Sequence, residues 1–321
     1  MHYVVIYIVH SRSYIYMKRR IMKISNIEIV HGGICHLGEG PIWNTRLQKL
    51  FWTDIYNRTI WAYDPEKSES TVFWKGKYQV GGFAFTRTGN VVLCTDRGVF
   101  LLNLSPEGIP EQEPEILFEI PLQKNEMFND ITVDPQGRIF AGTLLRPDFK
   151  YGTLYRLEKG KKPEVVLKEL YCTNGMTFSL DRKYFFHTDS HVHRITRYRY
   201  DCKTGEISDP QVYFQGADGM GSPDGITLDS QEHIWAAFWG GGCVRRIDPA
   251  GNVVSELAVP ARQPSSVMFG GKGLEELYIT SAAENAENVA TGYRSDGTFA
   301  GGPVYRLLPG VAGREEWLAD F

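Results

Sequence analysis

One short pattern recurs along this chain and restricts what it can fold into. A small or polar pair leads into an apolar run, and in most copies a polar turn and a second apolar run follow. The six first runs are Glu39-Gly40-Pro41-Ile42-Trp43, Gly81-Gly82-Phe83-Ala84-Phe85, Asn129-Asp130-Ile131-Thr132-Val133, Asn174-Gly175-Met176-Thr177-Phe178, Asp224-Gly225-Ile226-Thr227-Leu228 and Ser265-Ser266-Val267-Met268-Phe269. The second runs are LFWTD (50–54), VVLCTD (91–96), RIFAGT (138–143), YFFHTD (184–189), HIWAAF (233–238) and LYITSA (277–282). The repeat is roughly 40 to 50 residues long, the period at which four-stranded blades stack around an axis. The expected fold is all-β: a six-bladed β-propeller.

In a propeller the innermost strand of each blade runs along the central channel. Equivalent positions of the repeat therefore face one another in a ring. Read in order they are Glu39, Gly81, Asn129, Asn174, Asp224 and Ser265. Two carboxylates and two carboxamides are oxygen donors of the kind that hold hard cations. Far apart in sequence, they meet only if the repeat closes. Gly81-Gly82 contributes shape in place of chemistry, and small residues there are expected to leave room for a ligand. Trp74, Tyr78 and Phe83 are expected in the core.

Composition narrows the classes. A chain of 321 residues could form one large domain or two, and the regular repeat favours one. Its 33 glycines suit a fold with many tight turns. The net charge of -3 with no basic block speaks against a nucleic-acid partner. The apolar run Tyr3–Val9 is too short to span a membrane, and Lys18-Arg19-Arg20 lies on the wrong side of it for a secretory signal. Five scattered cysteines without a CxxC pair read as buried thiols in a reducing, cytoplasmic compartment. Residues 1–21 do not fit the repeat and read as an extension or upstream start. Met22 opens the expected propeller domain, 22–321. Within it, Asn26–His31 is expected to pair with Gly302–Leu308 and close the last blade, with Ile27 and Ile29 packed inside it.

Several residues outside the ring carry chemistry. Asp130 reads either as a ligand for a metal or substrate hydroxyl or as the cap of a local turn. Arg146, in the loop 144–151, reads either as a grip on a polyhydroxy or anionic substrate or as an exposed cation without a fixed partner. Trp239 before three glycines suits a wall against a sugar face. His187, His191 and His193 do not make a metal site, because the span crosses a turn and the rings cannot share one strand face. The segment 283–301 is long enough for a lid or for disorder.

The segments LGEGPIW, FNDITVDPQGRIFAGT, TNGMTFSLDRKYFFHTDS, SPDGITLDSQEHIWAAFWGGGCVRRIDPAG and FGGKGLEELYITSA resemble the sugar-lactonase family of gluconolactonases, regucalcin (senescence marker protein) and luciferin-regenerating enzyme. The resemblance runs from about Gly38 to Leu308. It implies a six-bladed propeller and one divalent metal in the channel, whose protein ligands match Glu39, Asn174 and Asp224. The metal is calcium, zinc, magnesium, manganese or iron in different members. The Asn that meets substrate or the water on the metal matches Asn129, and the Asp after it matches Asp130. The chain departs from regucalcin-like members where they hold the sugar. Their Arg is replaced by Met127, and a carboxylate in the following loop falls at Pro147. Arg146 or the 283–301 loop would have to substitute.

The implied reaction is hydrolysis of a sugar lactone to its aldonic acid. A metal would polarise the carbonyl, and Asp224 would act as general base, or as a nucleophile, with Asn129 orienting the substrate. Two other classes compete. One is an arylesterase or phosphotriesterase on the same fold. The other is a non-enzymatic propeller that binds calcium or a protein. Neither the oligomeric state nor the lactone is written in the residues.

Overall fold

The computed structural model describes residues 27–148 and 150–321, so the expected extension over 1–21 and Asn26 of the expected first strand lie outside the described residues. The apolar runs form strands for the reason their patterning suggests. The first run of each repeat is buried on both faces, as in Val80–Phe85, where every residue is buried. Last strands such as Glu69–Lys75 are mostly exposed. Polarity thus rises from the axis outward, which fits strands stacked radially.

Among the described residues there are six four-stranded antiparallel sheets, five in simple up-and-down order and one that joins the first strand to the last three. The inner strands are Gly38–Asn44, Val80–Phe85, Glu126–Val133, Thr173–Phe178, Ser222–Leu228 and Pro264–Gly270. Each packs against the inner strands of the blades on either side, and the sixth packs against the first. The six-bladed propeller expected from the repeat is the fold.

Blade six closes the ring. Glu28–His31 pairs antiparallel with Val304–Leu307, setting Glu28 opposite Arg306, and their side chains form an ion pair at 2.7 Å. Ile27 packs against the core of blades five and six, as expected. Ile29 does not: it is 59% exposed. Ile29 lies on the outermost strand of the blade, paired with Tyr305, and the outer strands are the exposed ones.

Two local devices fix where the inner strands begin and end. At the far end, a short polar side chain caps the hairpin turn. Asp134 Oδ1 accepts the backbone N–H of Gln136 and Arg138, both at 2.9 Å, and Asp229 Oδ1 accepts those of Gln231 and His233. Asn44 and Ser179 do the same in blades one and four. At the near end, the Asp that terminates the second run reaches back to the segment entering the inner strand. Asp54 accepts the N–H of His36 and Leu37, and Asp189 accepts those of Tyr171 and Cys172. The recurring Thr-Asp of the sequence is thus a clamp two residues ahead of Glu39 and of Asn174.

A segment after the last blade seals the far mouth of the channel. Ser230 donates its N–H to Ala312, Ala319 donates to Phe85, and Asp320 donates to Gly137, so the segment crosses several blades. Trp317 lies edge-on to Phe178, with the Arg314 guanidinium 4.1 Å above its ring. The five cysteines are free thiols, three of them buried. No helix of the described residues is long and apolar enough to cross a membrane.

Candidate functional site

The ring expected from the repeat is assembled at the near end of the inner strands. Glu39, Asn129, Asn174, Asp224 and Ser265 are all buried, with 0 to 7% exposure. Every inner strand is irregular there: the pairing register shifts between Glu39 and Ile42, Phe128 and Ile131, Thr173 and Met176, Pro223 and Ile226, Val80 and Gly82, and Pro264 and Ser266. A bulge releases a residue from the ladder and re-aims its side chain. Asn129, Asn174, Asp224, Gly81 and Ser265 are among the unpaired positions, and Glu39 is the last paired residue before its shift.

The seams between blades are stitched at the same level. The carbonyl just before an axial residue accepts a side-chain hydrogen bond from the preceding blade at four seams. Gly38 O accepts from Ser265 Oγ, Val80 O from Thr53 Oγ1, Thr173 O from Asn129 Nδ2 and Pro223 O from Ser190 Oγ. At the seam of blades two and three the fit is closer still. A Cβ on Gly81 would lie 2.0 Å from Phe128 O. Gly81 is glycine so that two backbones can touch, and the expectation that it leaves space for a ligand is corrected. Gly175 plays the same part against Asp224 O and Ile226 N.

The electrostatics single out the two carboxylates. Asp224 Oδ1 is buried and has no hydrogen-bond partner. Burial raises its pKa well above the usual range, and the charges of Glu39, Asp130 and Glu284 raise it further. Burial likewise raises that of Glu39, followed by the charge of Asp130, against the opposing N–H of Gly40. Two desolvated acids facing one channel are costly unless a cation joins them. With Asn174 beside them, they form the all-oxygen donor set that a hard divalent metal takes. The residues present fit such an ion.

Asn129 and Asp130, adjacent in sequence, separate in space. Asn129 joins Asn174, donating from Nδ2 to Asn174 Oδ1 at 2.8 Å. Asp130 turns into a cavity of about 70 Å³ on the side of Glu316, Trp317 and Leu318, and its Oδ1 accepts the N–H of Ile131. Its pKa is pushed up to about 6, chiefly by burial. The hydrogen bond of Asp130 to Ile131 is that of a local cap, while its charge also acts on Glu39 and Asp224.

Above the ring, Met127 packs in an apolar cluster with Leu37, Ile55, Leu144 and Ala282, and Tyr56, Cys172 and Trp239 lean against it. Arg146 is not an unpartnered surface cation. Its Nη1 meets Glu284 Oε1 at 2.6 Å and contacts the Tyr56 hydroxyl, which donates to the same Glu284 oxygen at 2.6 Å. Glu284 belongs to the 283–301 segment, which forms turns and isolated bridges with a folded course. Tyr56, Glu284 and Ser190 escaped the sequence reading. Tyr56, Ser190 and Glu284 each lie within two residues of the end of a second run, where the pattern no longer fixes the residue type. His187 is buried in the second strand of blade four, His191 lies in the turn Ser190–Val192 and His193 follows it, so the three do not converge.

Comparison with known proteins agrees with this fold. The profile of the SMP-30/gluconolactonase/LRE-like region matches residues 37–283. The chain belongs to that family. Within the family's wider circle it is 34% identical over 293 residues to pentonolactonase XacC of Haloferax volcanii, covering 89% of this chain and 95% of that one. It is 35% identical over 269 residues to 6-deoxy-6-sulfogluconolactonase of Pseudomonas putida, covering 82% and 90%. The calcium-binding regucalcin of Agrobacterium tumefaciens superposes with a TM-score of 0.82 at 26% identity, over 91% of this chain and 97% of that one.

Proposed function

We propose that this protein hydrolyses a neutral sugar lactone to the corresponding aldonic acid, with a divalent cation bound by Glu39, Asn174 and Asp224. The observation that carries the reading is the pair of buried carboxylates on one ring, with Asp224 Oδ1 lacking any donor. Relatives named for lactone hydrolysis at 34 and 35% identity support the substrate class. A cation held there supplies electrophilic stabilisation of the charge that develops on the carbonyl oxygen, on the order of several kcal/mol.

The chain's own groups do the rest. Asp224 would hold the ion with one carboxylate oxygen, which leaves the other for an attacking water. Its desolvated carboxylate takes the water proton as the oxygen bonds to the carbonyl carbon, a role worth about 10²- to 10⁴-fold. The ring C–O bond then breaks, and the leaving oxygen recovers the proton as the alcohol. Asn129 keeps its Oδ1 for a substrate hydroxyl, since its Nδ2 serves Thr173 and Asn174. The mouth supplies selectivity. The Arg146 charge is met by Glu284, so an anionic substituent such as a sulfonate would compete with that pair. A neutral lactone needs no such exchange. The Met127 wall favours a second reading, an aromatic ester.

The test is hydrolysis of five- and six-carbon aldonolactones and of an aryl ester by metal-stripped protein reloaded with each divalent metal, after subtraction of spontaneous hydrolysis. Metal-dependent lactone turnover lost in Asp224→Asn is expected. Turnover of the aryl ester alone would replace the first reading by the second.

A further inference from the structure

Which end of the Asn174 amide faces the channel decides whether Asn174 can be a ligand at all, because only its oxygen can hold a cation. We infer that Ser190 is the positioning residue that sets this polarity; the inference rests on the metal reading above.

The argument follows from which atoms can donate. The carbonyls of Thr173 and Pro223 only accept. Asn129 must therefore turn its Nδ2 toward Thr173 O, at 2.8 Å, and the same Nδ2 reaches Asn174 Oδ1 at 2.8 Å. At the other end, the single hydroxyl hydrogen of Ser190 is committed to Pro223 O at 2.7 Å. Its Oγ is then left as an acceptor, and Asn174 Nδ2 donates to it at 2.8 Å. The run from Thr173 O through Asn129, Asn174 and Ser190 to Pro223 O thus has one permitted direction, fixed by a backbone carbonyl at each end. A reversed Asn174 amide would set NH2 against NH2 and oxygen against a hydroxyl with no hydrogen to give. Asn129, Asn174 and Ser190 are 6 to 8% exposed, so water has little access to repair such a mismatch.

Ser190 also holds the second ligand strand. Pro223 is the residue before Asp224, at the start of the bulge Pro223–Ile226. One hydroxyl therefore aims the Asn174 oxygen and anchors the backbone that presents Asp224. Groups behind metal ligands act in this way, and losing one weakens affinity by roughly 10- to 100-fold.

The experiment is a calorimetric titration of Mn²⁺ into metal-stripped full-length protein, with Glu39→Gln as the control for the ring. Ser190→Ala is expected to weaken Mn²⁺ by about 10- to 100-fold, and Ser190→Thr, which keeps the hydroxyl, to restore most of the loss. Asn174→Asp supplies a carboxylate that has no wrong end. In that background Ser190→Ala should cost much less, a coupling that simple loss of packing would not give. Unchanged affinity in Ser190→Ala, or an equal loss in both backgrounds, would overturn the assignment. Mn²⁺ binding that is absent in the wild type or indifferent to Glu39→Gln would instead overturn the metal reading beneath it.

Discussion

Replacing Asp224 by Asn should stabilise the metal-free protein while removing its function. Asp224 is 4% exposed, Oδ1 has no donor, and three other acids act on it. An amide keeps the shape and removes a desolvated charge from a repulsive ring. Relief of a strained functional site commonly yields about 0.5 to 2 kcal/mol, here a rise of about 1 to 3 °C in Tm for a protein of this size. The metal-loaded forms should rank the other way. Wild type gains about 2.7 kcal/mol when the ion stands at about 100 times its Kd, and the variant forfeits most of that. Lactone turnover should fall about 10²- to 10⁴-fold.

The sign of the pH dependence follows. Glu39 and Asp224 have folded pKa values above their unfolded ones. The folded, metal-free protein therefore binds more protons from about pH 4 upward, and its stability falls as pH rises through the raised pKa values. Thermal melts in chelator at pH 5 and pH 8 should show the advantage of Asp224→Asn over wild type growing as pH rises. A metal-free variant that melts below wild type at pH 8 would refute the reasoning.

Three further outcomes are expected. Arg138→Met should cost about 3 to 5 kcal/mol in a denaturant melt, since Arg138 bonds Asp134 at 2.6 Å, Tyr200 and the carbonyls of Cys202 and Lys203, joining blades three and four. The double variant with Asp134→Asn should lose less than Arg138→Met alone. His187 is buried with its pKa lowered to about 4 by burial, against an opposing Asp189; its contribution is full above about pH 6.5 and is lost as pH falls through 4. That amounts to about 3 kcal/mol, so His187→Leu should flatten the acid limb of a stability–pH curve. Glu284→Gln should leave Arg146 open to an anionic substituent and raise kcat/KM for a 6-sulfonated lactone over its neutral counterpart by about 10-fold or more, measured in paired kinetic assays.

The propeller was legible because its period is long and its apolar runs are strong. The same period named Glu39, Asn174 and Asp224 as neighbours, since equivalent positions of a closed repeat must converge. It could not separate Asn129 from Asp130, because strand alternation gives no sign of a bulge, and at the bulge one meets Asn174 while the other lines the cavity beside Trp317. Ile29 failed because it sits on the outermost strand of its blade, where the outer face is exposed. Ser190 and Glu284 lie off the repeat. Their importance comes from hydrogen bonds across blades, and those partners become visible only when blades four and five, and blades one, three and six, stand side by side.

The seam between blades six and one gives the site a place in time. Strands within blades one to five find partners a few tens of residues away, so those sheets can form early. The seam is different: Arg306 reaches Glu28 across 278 positions, and Ser265 reaches Gly38 across 227. Glu39 stands on that seam, whereas Asn129, Asn174 and Asp224 belong to three consecutive blades. A chain that has built its middle but not joined its ends therefore carries three of these four polar groups and lacks the fourth. If Glu39, Asn174 and Asp224 hold the cation as proposed, the site would be complete only once the ends join, and tight metal binding during refolding would mark the moment at which an open arc of blades becomes a ring.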